Sequence, residues 1–164
     1  MLCIGLFGTC GGSKWRNNFM LKYNEIGINY FNPQVDDWKP DLAEIEAEHL
    51  VNDDIILFPV TNETFGTGSL AETGFSIMQA INSNENRSVV IMVEKDVKRE
   101  LQVAEPLAYK ESTRARALVR AHLNKVKKPN VYIVDSLEEM FNVSLKLYEV
   151  HKILAQIKQD IEKK

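Results

Sequence analysis

Apolar residues along this chain follow two patterns: short continuous runs bounded by turn residues, and longer stretches in which they recur at every third or fourth position. The runs at 2–7, 54–60 and 88–93 are rich in β-branched residues and lack the alternation of a half-exposed strand. They predict parallel strands covered on both faces. Shorter runs at 29–31 and 130–134 complete a set of five. Between them, helical spacing predicts helices over 14–25, 41–51, 69–82, 112–125 and from 136 almost to the C-terminus. Strand and helix alternate, as in an α/β protein whose parallel sheet carries helices on both faces. Five strands predict a flavodoxin-like doubly wound sheet. The stretch 94–110, interrupted by Pro106, reads as a surface excursion.

The last helical stretch carries Met140, Val143, Leu147, Val150, Leu154, Ile157 and Ile161 at three-four spacing, the seam of a helix that packs along another. Its first half is expected to cover its own sheet. The distal half exceeds what a small sheet needs and is expected to meet a second copy of the chain in a homo-oligomer.

At 164 residues and 45% hydrophobic content, the chain has the material for one compact domain spanning 1–164, with no repeat or linker to divide it. A formal net charge of -3 offers no global attraction to nucleic acid or anionic membrane, so small molecules and other protein chains are the expected partners. Arg114, Arg116, Arg120, Lys125, Lys127 and Lys128 read as the solvated rim of a packing helix rather than a nucleic-acid face. Cys3 in a strand and Cys10 in a glycine loop imply no disulfide framework and fit a reducing cytosol. No export signal or membrane-spanning run stands out, so a soluble, cytoplasmic protein is expected.

Candidate chemistry gathers in loops that follow strands. After the run at 54–60, Glu72 is placed in the first turn of the helix over 69–82. There the positive end of the helix dipole predicts a lowered pKa and an ionised, nucleophilic carboxylate. Ser69-Leu70-Ala71-Glu72 is equally a capping box, in which the glutamate only bonds back to the cap residue's amide. Gly8-Thr9-Cys10-Gly11-Gly12-Ser13 lacks both the P-loop ending and the G-x-G-x-x-G spacing, which leaves a tight turn and a ligand cradle open. Cys10 has no histidine nearby in sequence and reads as a passive thiol.

The segment 30–40 mixes aromatics, prolines and the adjacent acids Asp36 and Asp37, a composition suited to a small-molecule pocket at the C-terminal edge of a sheet. Trp38 is a stacking platform or a lid. The two acids have no further ligand at useful spacing, and no metal or cofactor is expected. Glu46, flanked at i−4 and i+4 by Leu42 and Leu50, projects from the apolar side of its helix. It is expected to aim into a pocket and converge with Glu72.

Together, Gly8-Thr9-Cys10-Gly11-Gly12-Ser13-Lys14-Trp15-Arg16, Phe31-Asn32-Pro33-Gln34-Val35-Asp36-Asp37-Trp38 and Gly68-Ser69-Leu70-Ala71-Glu72-Thr73-Gly74 resemble the nucleoside 2-deoxyribosyltransferase superfamily, in its deoxyribosyltransferase-like branch. The resemblance implies a flavodoxin-like homo-oligomer acting on a nucleoside and a nucleobase. It also implies a glutamate nucleophile, here Glu72, that displaces the base to form a deoxyribosyl ester, from which an incoming base takes the sugar with net retention. By position Glu46 is the acid that helps hold sugar or base, where better-known members carry aspartate. Gly8, Thr9, Gly12, Ser13, Trp15, Asp36, Asp37, Trp38, Asn62, Glu63 and Ser69 form the expected substrate-binding set. The family's aspartate six residues ahead of the nucleophile falls on Gly66, with Asn62 and Glu63 as the nearest substitutes. Two alternatives stay open. One is hydrolysis of deoxynucleosides or their 5'-monophosphates, with Ser13, Lys14 and Arg16 on the phosphate; the other is a nucleotide sensor without turnover.

Overall fold

The computed structural model describes residues 2–37 and 39–163. The elements run β1 (Ile4–Leu6), α1 (Trp15–Ile26), β2 (Tyr30–Phe31), α2 (Leu42–Asn52), β3 (Ile55–Val60), α3 (Thr67–Glu72), α4 (Ser76–Ser83), β4 (Ser88–Val93), α5 (Arg99–Ala104), α6 (Pro106–Leu123), β5 (Val131–Ile133) and α7 (Leu137–Glu162). All five strands pair in parallel in the order β2-β1-β3-β4-β5, the flavodoxin-like winding.

Successive strand residues face opposite sides of a sheet, and this divides the core in two. Ile4, Leu6, Ile55, Leu57, Val90 and Met92 pack against Trp15, Phe19 and Tyr23 of α1 and Met140 and Leu147 of α7. Their neighbours Ile56, Phe58, Val60, Val89, Ile91 and Val93 pack against Ile77 and Ile81 of α4 and Leu123 of α6. Because both faces are covered, the strands read as continuous apolar runs. Each such side chain contributes about 1.5 to 3 kcal/mol on burial.

Three arginines, Arg16, Arg87 and Arg116, are at most 1% exposed and tie the loops to this core. Arg16 donates from Nε to Leu6 O at 2.7 Å and from Nη1 to Thr9 O at 2.5 Å, holding the β1–α1 loop. At the other sheet edge, Arg87 bonds the carbonyls of Val51, Asp53 and Ala80. Arg116 corrects the solvated-rim reading of its helix. Its five N–H groups reach Ser112 Oγ, Val60 O, Glu94 O, Thr61 O and Thr64 O at 2.9 to 3.2 Å. A guanidinium tolerates complete burial when every donor finds an acceptor, and the carbonyls that close β3 and β4 supply them.

The single helix expected over 69–82 is two. Thr73 Oγ1 donates to Leu70 O at 2.6 Å and Gly74 N–H to Ala71 O at 3.3 Å, so α3 closes at Glu72 and α4 starts afresh at Ser76. Pro106 interrupts nothing: it occupies the first position of α6, where its missing N–H is not needed. The expected surface excursion therefore contains α5 and the opening of α6. In α7, capped by Ser136 Oγ on Glu139 N–H at 3.0 Å, Met140, Ser144 and Leu147 are buried. Beyond them Val150, Leu154, Ile157 and Ile161 stand 49 to 65% exposed. No helix among the described residues is long and apolar enough to cross a membrane.

Candidate active site

The chain leaves β1 and β3 toward opposite sides of the sheet, and the crevice between their C-terminal ends is where open α/β sheets bind ligands. The glycine loop after β1 lies directly on β3, with Thr9 N–H on Pro59 O at 2.9 Å. Gly8 makes this approach possible: its φ is +86°, and a Cβ there would stand 2.3 Å from Pro59 O. Gly8→Ala should therefore lower stability by about 1 to 3 kcal/mol, measurable by denaturant unfolding; an unchanged midpoint would refute the close approach.

Over this crevice lies a hollow of about 700 Å³. Its wall takes Gly8, Cys10 and Gly11 from the first loop, Gln34, Val35 and Asp36 from the segment after β2, Glu46 from α2, and 64–69 with Glu72 from the loop and helix after β3. Glu46 and Glu72 also line a smaller adjoining hollow of about 330 Å³, backed by Phe7 and Leu50. Two carboxyl groups from different helices thus share one crevice.

The structure overturns the sequence-based account of Glu72's ionisation. Glu72 closes α3 rather than opening a helix, so the dipole argument fails. The helix is capped by Gly66 with no side-chain cap bond, so Ser69-Leu70-Ala71-Glu72 is not a capping box either. Burial first, and then the Glu46 charge, push the Glu72 carboxyl up to about 7 against the pull of Arg16. A carboxyl so placed gains and loses its proton near neutral pH.

Of the expected substrate contacts, Gly8, Asp36 and Ser69 line this hollow. Others are taken up by the fold. Thr9 is 1% exposed, its hydroxyl donating to Pro59 O and accepting from Thr61 N–H. Trp15 is buried against Phe19, its indole N–H on Thr9 O at 3.1 Å. The Ser13 hydroxyl is buried on the Glu63 carboxylate, which also accepts Lys14 N–H and the Thr61 hydroxyl. Although desolvation works the other way, these bonds hold Glu63 below the usual carboxylate value. Arg16, expected on a phosphate, is enclosed by loop carbonyls and cannot reach one. Asp37 is solvated beside Lys39 at 3.6 Å, Gly12 is exposed on the loop, and Trp38 lies outside the described residues.

Lys14, Asn62 and Glu63 line a separate hollow of about 630 Å³ on the α1 and α7 side. Its acids Glu63 and Glu94 accept loop amides, which makes it a poorer place for carboxylate chemistry despite its size. The thiol of Cys10 is pushed up by desolvation against the pull of Arg16, as befits a passive group. Gln34, Thr64, Phe65 and Thr67 line the Glu72 hollow without having been singled out in sequence. Their one signal was membership of loops that follow strands. Gly66 also has a physical reason: its φ is +67°, and a Cβ would meet Val60 Cγ1 at 2.9 Å and Arg116 Nη2 at 3.1 Å.

A family model described as "Nucleoside 2-deoxyribosyltransferase like" matches residues 4–97. That stretch includes both β1 and β3 loops, Glu46 and Glu72. No curated protein matches the chain. Among solved structures, a chain of "Crystal structure of the RPS4 and RRS1 TIR domain heterodimer" superposes with a TM-score of 0.55 at 9% identity, covering 90% of this chain and 97% of that one. At that identity the likeness speaks for the fold alone.

Proposed function

We propose, from the premise that this chain belongs to the nucleoside 2-deoxyribosyltransferase-like family, that it transfers 2-deoxyribose between nucleobases through a covalent ester on Glu72. The observation that carries this reading is the convergence of Glu46 and Glu72 in one hollow, with Glu72 pushed up to about 7. Glu72 attacks as its carboxylate, with Glu46 beside it to hold sugar or base. In the first half-reaction a Glu72 oxygen bonds to C1' of the deoxynucleoside as the C1'–N bond breaks. The bonding pair leaves on the base nitrogen, which takes up a proton from solvent. In the second, a nitrogen of the incoming base bonds to C1', the ester bond breaks back to carboxylate, and the nitrogen's proton passes to solvent. Two inversions give net retention. Asp36, Ser69 and the backbone of the glycine loop are the polar groups on hand for sugar and base.

Incubation with deoxynucleosides, deoxynucleoside 5'-monophosphates and free acceptor bases tests the reading, with transfer scored apart from hydrolysis. Base exchange is expected, together with a deoxyribosyl adduct on the Glu72 peptide by mass spectrometry. Free sugar without exchange would make the protein a hydrolase, and binding without release of base would make it a sensor.

The same reading takes 98–164, beyond the matched stretch, as part of one working unit in the cytoplasm, since α6 supplies the arginine that holds the loop ahead of Glu72. It also includes a second copy of the chain on the distal half of α7. Leaving each large apolar side chain there in water costs roughly 1.5 to 3 kcal/mol relative to burial. Leu154→Asp with Ile157→Asp should lower both oligomer mass and activity. A light-scattering mass of one chain for the parent, with full activity, would refute this assembly.

A further inference from the structure

At the sheet edge opposite the Glu72 hollow, Cys3 precedes β1, Asp53 precedes β3 and His49 lies in the last turn of α2. Cys3 Sγ, His49 Nδ1 and an Asp53 carboxylate oxygen all lie within 4.8 Å of one another. Asp53 is 5% exposed at its side chain and meets His49 Nδ1 with Oδ1 at 2.9 Å, yet its Oδ2 has no hydrogen-bond partner. The Cys3 thiol is near enough to interact with that carboxylate but closes no hydrogen bond of ordinary geometry. The carboxylate rests on Gly5, where a Cβ would stand 2.7 Å from Oδ2, and the His49 ring is stacked on Phe31 at 3.6 Å and 4°. Asp54 adds a second carboxylate, accepting Cys3 N–H at 3.0 Å. Arg87 faces the cluster through the backbone, its Nε on Asp53 O at 2.7 Å. A buried carboxylate oxygen without a donor is costly and asks for a ligand.

We propose that Cys3, His49 and Asp53 bind one borderline-soft divalent cation, Zn²⁺ being the best match, with water in the fourth position on the partly exposed side of His49. One thiolate, one imidazole and one carboxylate are donors this ion takes at about 2.0 to 2.3 Å, and atoms within 4.8 Å of one another need to draw together by no more than about 1.5 Å to share a tetrahedral centre at those lengths. The cation replaces the proton between His49 and Asp53, supplies the partner Oδ2 lacks, and turns Cys3 into a thiolate. Burial and the neighbouring Asp53 otherwise push that thiol up to about 12. Phe31 fixes the imidazole plane, as groups behind a metal ligand commonly do. The ion thereby clips the start of β1 to the end of α2, the helix that carries Glu46, independently of what the Glu72 hollow does.

The test uses the full chain with its own N-terminus and no metal-binding tag, stripped with a chelator. Equilibrium dialysis against Zn²⁺ with elemental analysis should give one equivalent per chain, and about a hundredfold excess over the dissociation constant should raise the unfolding midpoint by roughly 5 °C or more. Co²⁺ in its place should show thiolate charge-transfer absorption and the d–d bands of a tetrahedral site. Cys3→Ser should remove the charge-transfer band, and it and His49→Gln should each weaken binding by about tenfold or more. Glu46→Gln and Glu72→Gln should leave metal binding unchanged. Substoichiometric binding, affinity unmoved in both Cys3→Ser and His49→Gln, or a Co²⁺ spectrum without thiolate would overturn the proposal. The spectrum of the parent protein decides even where a variant fails to fold.

Discussion

Glu72→Gln should abolish turnover, by at least about a thousandfold in kcat, while leaving the chain about as stable as the parent below pH ~4 and more stable at pH ~8. The two halves of this expectation have one cause. Burial and the Glu46 charge raise the Glu72 carboxyl from an ordinary 4.5 to about 7. A group whose folded value is raised contributes stability that is fully present below its unfolded value and is lost as pH rises through the folded one. The parent therefore loses stability between about pH 4.5 and 7, and the amide does not. For a half-buried group, partly screened by solvent, the difference above pH 7 should be on the order of 1 to 3 kcal/mol. Nucleophilic attack needs the carboxylate, so parent activity should climb with pH through about 7. Thermal unfolding across pH and a pH–rate profile check both halves. A variant that retains turnover would remove Glu72 from the chemistry, and one destabilised equally at all pH would show the carboxyl to be structural.

Arg116→Met should cost about 3 to 5 kcal/mol, a large share of the 5 to 15 kcal/mol that typically holds a domain of this kind together. The methionine fills much of the volume but leaves the carbonyls of Val60, Thr61, Thr64 and Glu94 without the N–H groups they accept. Three of those carbonyls lie between the end of β3 and the start of α3, so the segment ahead of Glu72 should loosen with them. Denaturant unfolding measures the first effect, and amide exchange over 61–66 measures the second. Arg116→Lys should recover only part of both, because one ammonium cannot reproduce a five-donor fork. A stability loss under about 1 kcal/mol would mean that water replaces the guanidinium, contrary to its complete burial.

How far the sequence could be read depended on whether the deciding contacts were local. The runs at 54–60 and 88–93 announce buried parallel strands because the covering of both faces is written into consecutive residues. Observed β3 and β4 fall within those bounds. Glu46 was separable from Glu44 and Glu48 because helical spacing puts it beside Leu42 and Leu50. Pro106 was misread because a proline inside a helix and one at its first position look alike until the preceding backbone is known.

By itself the sequence determined the alternation of five strands with helices, the flavodoxin-like class, and the family motifs around Gly8, Asp36 and Glu72, all properties of neighbouring residues and their spacing. The tertiary structure decided where α3 ends, and with it that Glu72 is held near neutral rather than kept acidic. It decided that Arg16 and Arg116 are internal fasteners rather than surface charges, and that Ser13 and Glu63 bind each other. It alone brought Cys3 to His49 and Asp53 across 46 to 50 positions of chain. Desolvation and Coulomb terms are sums over whatever packs nearby in space, and no periodicity along the chain records which residues those will be.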